Sequence, residues 1–175
     1  MRKAILYIAM SLDGYIADKE GGVGWLDEYG DVEENEGYTM FMKEIDTVIM
    51  GYTTYHQIAT ELSPDQWVYE GLESYVITHN TIPSIPTIKF IKEDPCKLVR
   101  ELKEKEGKSI WICGGAKIVS QLMREDMIDT FYISVIPTIL GNGIRLFDIM
   151  EDEVKLKLVR AGNYNGIAEL IYNRR

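Results

Sequence analysis

The stretch Ser109-Ile110-Trp111-Ile112-Cys113-Gly114-Gly115-Ala116-Lys117-Ile118-Val119-Ser120-Gln121-Leu122 decides the fold. Its first half is short, β-branched and aromatic, which reads as a strand; Ile118, Val119 and Leu122 then recur at helical spacing. A glycine pair separates the two. The same order returns at Thr47–Met50, followed by Gly51-Tyr52-Thr53-Thr54 and a helix expected over Tyr55–Ala59. A strand that runs through glycine into a helix is half of a crossover between parallel strands.

Working outward, Lys3–Ala9, Tyr75–Thr78, Ile88–Ile91 and Thr130–Ile136 are further strand-like runs bounded by Gly, Pro, Asn or Asp. Helical spacing places Tyr38, Phe41, Met42 and Ile45 on one face, and Leu98, Val99 and Leu102 on another. The second of these helices is well punctuated: Asp94 is placed as N-cap, Pro95 at the first helical position, and Gly107 beyond an end at Glu106. Lys155–Arg160 and Ala168–Asn173 flank the turn-rich Gly162–Gly166, which predicts an antiparallel hairpin at the end of the chain. The expected fold class is α/β: three layers, αβα, around a mostly parallel, mixed sheet. No repeat or low-complexity linker divides the chain, so residues 1–175 are read as one domain.

With 19 Lys and Arg against 28 Asp and Glu in 175 residues, the formal net charge is −9. That balance argues against a duplex nucleic-acid binder and against an anionic membrane surface, since both reward clustered Lys and Arg. No apolar run approaches the roughly 20 residues of a membrane span, and no signal-peptide pattern follows Met1, so a cytoplasmic protein is expected. Cys96 and Cys113 have no metal-type spacing partner, and His56 and His79 are the only histidines. Reduced thiols and no metal site are the expectation.

If the strands are parallel, the segments after them converge on one rim: Met10–Gly14, Gly51–Thr54, His79-Asn80 and Cys113–Ala116. Open α/β sheets bind ligands outside the carboxyl ends of their strands. Two of these loops suit an anion, because glycine lets the backbone approach and the helix start presents free N–H groups. Thr53 or Thr54 can cap the following helix and offer a hydroxyl. Taken singly, each loop also reads as a plain turn and cap; the coincidence on one rim is what points to a ligand.

Five segments make the sequence specific: Ala9–Ala17, reading AMSLDGYIA; Gly22–Leu26, GVGWL; Met50–Tyr55, MGYTTY; Ile112–Ala116, ICGGA; and Pro137 with Leu140-Gly141-Asn142-Gly143 and Leu146-Phe147. In this order they resemble the dihydrofolate reductase-like superfamily, in the branch holding the reductase domain of riboflavin biosynthesis. The resemblance implies a sheet of about eight strands and an NADP-dependent oxidoreductase, often a homodimer, that passes hydride to a small heterocyclic acceptor, pyrimidine- or pterin-like, or to a carbonyl. A 5-amino-6-(5-phosphoribosylamino)uracil reductase-like activity lies within that range. Carried over by position, Ala9 and Ile16 flank the nicotinamide and Asp18–Trp25 is the mobile flap. Gly51, Thr53 and Thr54 hold the pyrophosphate, and Thr78, His79 and Asn80 lie beside the adenosine ribose and its 2′-phosphate. Gly114, Gly115, Ala116, Lys117 and Ile118 match the glycine pair and helix start.

The chain also departs from the family. Tyr52 stands where an Arg commonly grips the 2′-phosphate of NADPH, so NADH stays open, with His79, Lys89 or Lys92 as replacement cations. Folate-type members carry an Asp or Glu on the helix before the second strand. Here Glu33, Glu34 and Glu36 fall there, with Glu36 taken as the candidate and a solvated helix start as the competing reading. Lys and Arg are absent between Lys43 and Lys89, which disfavours a folate tail. Asp13, Asp27 and Glu36 are the candidate proton donors; Ser11, Asp13 and Trp25 are candidate substrate contacts, and Trp25 and Trp111 flank the crevice. The alternative to a reductase is a non-catalytic dinucleotide-binding or regulatory module.

Overall fold

The computed structural model describes residues 1–29 and 35–175. Its centre is an eight-stranded sheet in the order β5-β4-β3-β6-β1-β7-β10-β9. These strands are β1 (Ala4–Ser11), β3 (Ile45–Gly51), β4 (Glu73–Ile77), β5 (Ile88–Ile91), β6 (Ser109–Gly114), β7 (Thr130–Ile136), β9 (Leu156–Tyr164) and β10 (Ile167–Arg174). The pairings β1 with β6 and β7, β3 with β4 and β6, and β4 with β5 are parallel. β10 runs antiparallel to both β7 and β9. The mostly parallel sheet and the terminal hairpin are both as the sequence predicts.

Alternation along each strand builds the two outer layers. From β1, Ala4 and Leu6 face one core while Ile5 and Tyr7 face the other; from β6, Ile110 and Ile112 oppose Trp111 and Cys113 in the same way. Leu98, Val99 and Leu102 of α3 (Pro95–Glu104) and Ile118, Val119 and Leu122 of α4 (Ala116–Arg124) cover the first face. Phe41 of α1 (Glu36–Glu44) and residues around α2 (Tyr52–Gln57) cover the second. That second layer is aromatic: Phe41 meets Tyr7 edge-on at 4.6 Å and Trp111 at 5.5 Å, and Trp111 meets Tyr69 at 4.9 Å. Trp111 is therefore a core residue, 5% exposed, with its indole N–H donated to the Tyr7 carbonyl at 3.1 Å.

Several local expectations are corrected. Asp94 caps α3 through Lys97 N at 3.0 Å as expected, but the helix ends at Glu104, where Lys105 takes extended backbone, rather than at Glu106. α2 begins at Tyr52 rather than Tyr55, with extended Gly51 as N-cap and no side-chain cap, so Thr53 and Thr54 lie inside the first turn instead of capping it. The loop read over Gly162–Gly166 contracts to Asn165-Gly166, both at positive φ (49° and 80°). An Asn-Gly pair in that conformation closes a two-residue hairpin whose twist matches its strands, which lets β9 and β10 extend further.

Absent from the sequence reading is a second sheet of β2 (Tyr15–Ala17) and β8 (Ile144–Arg145). Gly143 precedes it at φ +154°, and a Cβ there would fall 2.2 Å from the Ala17 carbonyl oxygen, so only glycine permits this approach. Among the described residues no helix is long and apolar enough to cross a membrane.

Candidate active site

Because β4, β3, β6 and β1 are neighbours and parallel, the segments after them meet along one rim. Two of these segments meet at a pair of glycines, Gly51 and Gly115. A Cβ on Gly51 would lie 3.4 Å from Ile118 Cγ1 and 3.9 Å from the Gly115 nitrogen, while one on Gly115 would lie 3.3 Å from Thr54 Oγ1. Side chains at both positions would fill the space between the two loops. Gly115 is also the N-cap of α4, without a side-chain cap, and its carbonyl accepts from Ile118 N at 3.0 Å and Val119 N at 3.1 Å. The first amides of a nine-residue helix, at Ala116 and Lys117, thus open onto a cradle made of backbone and the Thr54 hydroxyl. Lys117 is exposed beside it.

At the β4 end, buried Thr78 accepts from Asn80 N at 3.1 Å, which turns His79 and Asn80 outward. Of the three candidate replacement cations, Lys89 sits in the first half of β5 and binds the Glu73 carboxylate and the Tyr75 hydroxyl. The hydrogen bond from Lys89, in turn, holds the Glu73 carboxyl below its ordinary value. Lys92 follows β5 at the rim and donates to Thr81 Oγ1, in the loop that continues from Asn80. The rim therefore carries an ammonium beside that loop, while the ring of Tyr52 packs 6.0 Å from Tyr55 and 5.9 Å from His56 within its own helix.

At the β1 end, Ser11 Oγ donates to Asp13 Oδ1 at 2.6 Å and accepts from Tyr15 N at 2.9 Å. Asp13 also accepts from Leu140 N at 3.1 Å and Gly141 N at 2.7 Å. The Ser11 hydroxyl, then these amides, hold its carboxyl below the ordinary carboxylate value. That is the reverse of what a proton donor needs; the geometry makes Asp13 a clamp between the β1–β2 turn and the segment before β8. Ile16 packs on the α3–α4 side of the core, and Ala9 lies level with Ser134 across the β1–β7 pairing.

The flap segment leaves β2 through a turn in which Asp18 Oδ1 accepts from Glu20 N at 2.9 Å and Gly22 N at 2.7 Å. It then forms a 3-10 turn, Gly24–Tyr29. Gln57 of α2 donates to the Gly21 carbonyl at 3.0 Å, and the Tyr29 hydroxyl meets Thr138 Oγ1 at 2.8 Å, so the flap is tied on both sides. Trp25 is half-buried, and its Nε1 is a buried donor without a partner among the described residues. A ligand acceptor would satisfy it.

Glu36 is not brought to the cradle: it is the exposed first residue of α1. Glu33 and Glu34 lie outside the described residues. Three features escaped the sequence reading. One is the pair formed by buried Asn35 and Glu169, with Asn35 Nδ2 donating to Glu169 Oε1 at 2.6 Å. Another is the phenol of Tyr7, pushed up to about 12 by burial and then by the Glu169 charge. The third is Cys113, facing the Tyr69 hydroxyl at 3.8 Å, its thiol pushed up to about 11 by burial and so neutral at pH 7. No spacing rule links Asn35 with Glu169, and β-strand periodicity alone could have placed Tyr7 with Trp111.

Comparison with known proteins places this geometry. Residues 2–166 match the family model of the RibD C-terminal domain. The uncharacterized Bacillus subtilis protein YwjB is 41% identical over 180 residues, covering 99% of this chain and 98% of its own. A crystal structure from Shewanella sp. PV-4, ascribed to riboflavin biosynthesis, is 27% identical with a TM-score of 0.84 and covers 99% of both chains. The Thermotoga maritima diaminohydroxyphosphoribosylaminopyrimidine deaminase/5-amino-6-(5-phosphoribosylamino)uracil reductase shares the fold at a TM-score of 0.73 and 19% identity, over 99% of this chain and 57% of its own.

Proposed function

The chain belongs to the RibD C-terminal domain family, with a dihydrofolate reductase-like fold, and from that premise we propose that it is an NADPH-dependent reductase of a small nitrogen heterocycle or related carbonyl. The observation that carries the reading is the cradle between Gly51 and Gly115, whose missing Cβ atoms, free helix-start amides and Thr54 hydroxyl suit a pyrophosphate. The dihydronicotinamide, when bound, supplies hydride to the acceptor, and one proton from a protein group or solvent completes the reduction. The chain's own residues do the rest.

In this reading Gly114, Gly115, Ala116, Lys117 and Ile118 hold the pyrophosphate from one side and Gly51, Thr53 and Thr54 from the other. Ala9 and Ile16 border the nicotinamide, and Thr78, His79 and Asn80 border the adenosine ribose, with Lys92 facing its 2′-phosphate in place of the charge that Tyr52 lacks. The flap, tied to Gln57 and Thr138, excludes water from the transfer. We read the protein as cytoplasmic and homodimeric, as in the family the sequence resembles. The test is dihydronicotinamide oxidation with a panel of pterins, pyrimidines, aldehydes and quinones. Oxidation that depends on one acceptor class supports the reading. Nucleotide binding without turnover on any of them favours a non-catalytic binding module.

A further inference from the structure

α2 touches both the cradle and the flap. Its first turn carries Thr53 and Thr54, and the Thr54 hydroxyl stands 3.3 Å from the position a Cβ on Gly115 would take. Its last residue, Gln57, donates from Nε2 to the Gly21 carbonyl at 3.0 Å and so joins segments 36 residues apart. Three residues of helix separate Thr54 from Gln57, a rise of about 4.5 Å, so one short turn makes both contacts. That turn is fixed at its far end. The Ile58 amide donates to the Thr54 and Tyr55 carbonyls, and the Ile58 side chain, 7% exposed, is set in the core layer with Val48, Met50 and Val76. From Ile58 to Leu62 the backbone widens into a π turn, with Ser63 N donating to the Ile58 carbonyl at 2.8 Å. Turns of this kind recur at functional sites.

The flap side of the contact is equally built. Asp18 Oδ1 accepts from Glu20 N and Gly22 N, the Asp18 amide donates to the Gly22 carbonyl at 3.0 Å, and Gly21 N donates to the Asp18 carbonyl at 3.1 Å. These bonds close residues 18–22 into one small loop, so that a contact at Gly21 holds the whole of it. Three residues beyond Gly22 comes Trp25, with its buried and unpartnered indole N–H.

We propose that Gln57 is a positioning residue that couples the cradle to the flap: a dinucleotide seated against Thr53 and Thr54 holds α2, and α2 through Gln57 holds the 18–22 loop and the segment that follows it to Trp25. The inference rests on the reductase reading and deepens it by assigning an order of binding, in which the dinucleotide seats first and the acceptor meets a completed site. Coupling of this kind is reciprocal: a docked flap raises dinucleotide affinity by the same factor with which the dinucleotide favours docking. The link needs a donor at position 57, because its partner is a carbonyl oxygen.

Hydrogen–deuterium exchange of the full chain, with and without saturating NADPH, tests this in peptides covering residues 18–25 and 114–118. The variants are Gln57→Glu, which keeps the size and loses the donor, and Gln57→Lys, which keeps a donor; circular dichroism verifies that both fold. In the wild type NADPH should slow exchange in both segments, in the flap by about tenfold or more. In Gln57→Glu the slowing at 114–118 should remain while that of the flap falls below about twofold, and Gln57→Lys should restore most of it. A tie that is merely structural behaves otherwise: Gln57→Glu would then speed flap exchange equally with and without NADPH and leave the response to NADPH intact, which overturns the proposal. A wild-type flap that ignores NADPH while 114–118 responds overturns it as well. So does loss of the response at 114–118 in Gln57→Glu, which would make Gln57 part of the cradle itself. Slowing at neither segment in the wild type overturns the reductase reading and the inference with it.

Discussion

Gly51 and Gly115 face one another across the rim, with the Cβ position of the first 3.9 Å from the amide nitrogen of the second. The φ angle of Gly51, −77°, is one that any residue adopts. Glycine is thus not needed at Gly51 for backbone conformation, and its value there is the space it leaves. Gly51→Ala should accordingly weaken dinucleotide binding about tenfold or more, a loss of roughly 1.4 kcal/mol, while the midpoint of denaturant unfolding hardly moves. Titration of NADPH alongside urea unfolding checks both halves.

Lys92 and Lys89 lie on one strand and its end but serve different purposes, since Lys89 is held by Glu73 and Tyr75 while Lys92 reaches Thr81. Lys92→Ala should reduce the preference for NADPH over NADH by about tenfold, the value of one charge-assisted phosphate contact. Lys89→Ala should leave that preference alone. The ratio of the two dissociation constants is the readout.

The Asp13 clamp carries a pH signature. Its carboxyl is held below the ordinary value, by Ser11 first, so its stabilisation is present above the unfolded value near 4 and is lost as pH falls through the folded one. Asp13→Asn should be less stable than wild type at neutral pH, and the gap should narrow as the carboxylate is protonated on acidification. If Asp13 acts only as this clamp, turnover should fall without a change in the pH of the optimum, whereas a shifted optimum would mark it as the proton donor.

Tyr7 gives the opposite limb. Its folded-state value of about 12 exceeds the ordinary 10.0, so the unfolded chain ionises first and stability falls as pH rises from 10 toward 12. Tyr7→Phe should remove part of that alkaline loss, visible as a shallower decline in unfolding midpoint over that range.

Arg2 is held by partners remote in sequence. It is 9% exposed and binds the Asp46 carboxylate, Thr47 Oγ1 at 2.7 Å and the Lys108 carbonyl at 2.5 Å, joining β3 to the segment before β6. Nothing in the run Met1-Arg2-Lys3 signals this, because the partners are remote in sequence. The same limit applies to Asn35 and Glu169. What periodicity and punctuation do reveal is the set of central strands, the three-layer order and the rim loops: Asp94-Pro95 and Gly114-Gly115 are where local chemistry and fold agree. The hairpin runs longer than its strand-like residues suggest because Asn165-Gly166 closes it in two residues, and β2 with β8 are too short for any alternation to register. The cradle at the rim is legible because glycines mark it; the Asn35–Glu169 pair is not, because it joins the cap of α1 to a strand 134 residues further on.

Thermal unfolding of the protein alone, with NADPH and with NADH tests the central claim most directly, since a ligand that binds only the native state adds about 2.7 kcal/mol at a hundredfold excess over its Kd. For a chain of this size that amounts to a rise of roughly 5–10 °C. The account predicts such a rise with NADPH and a smaller one with NADH. No rise with either nucleotide would contradict it.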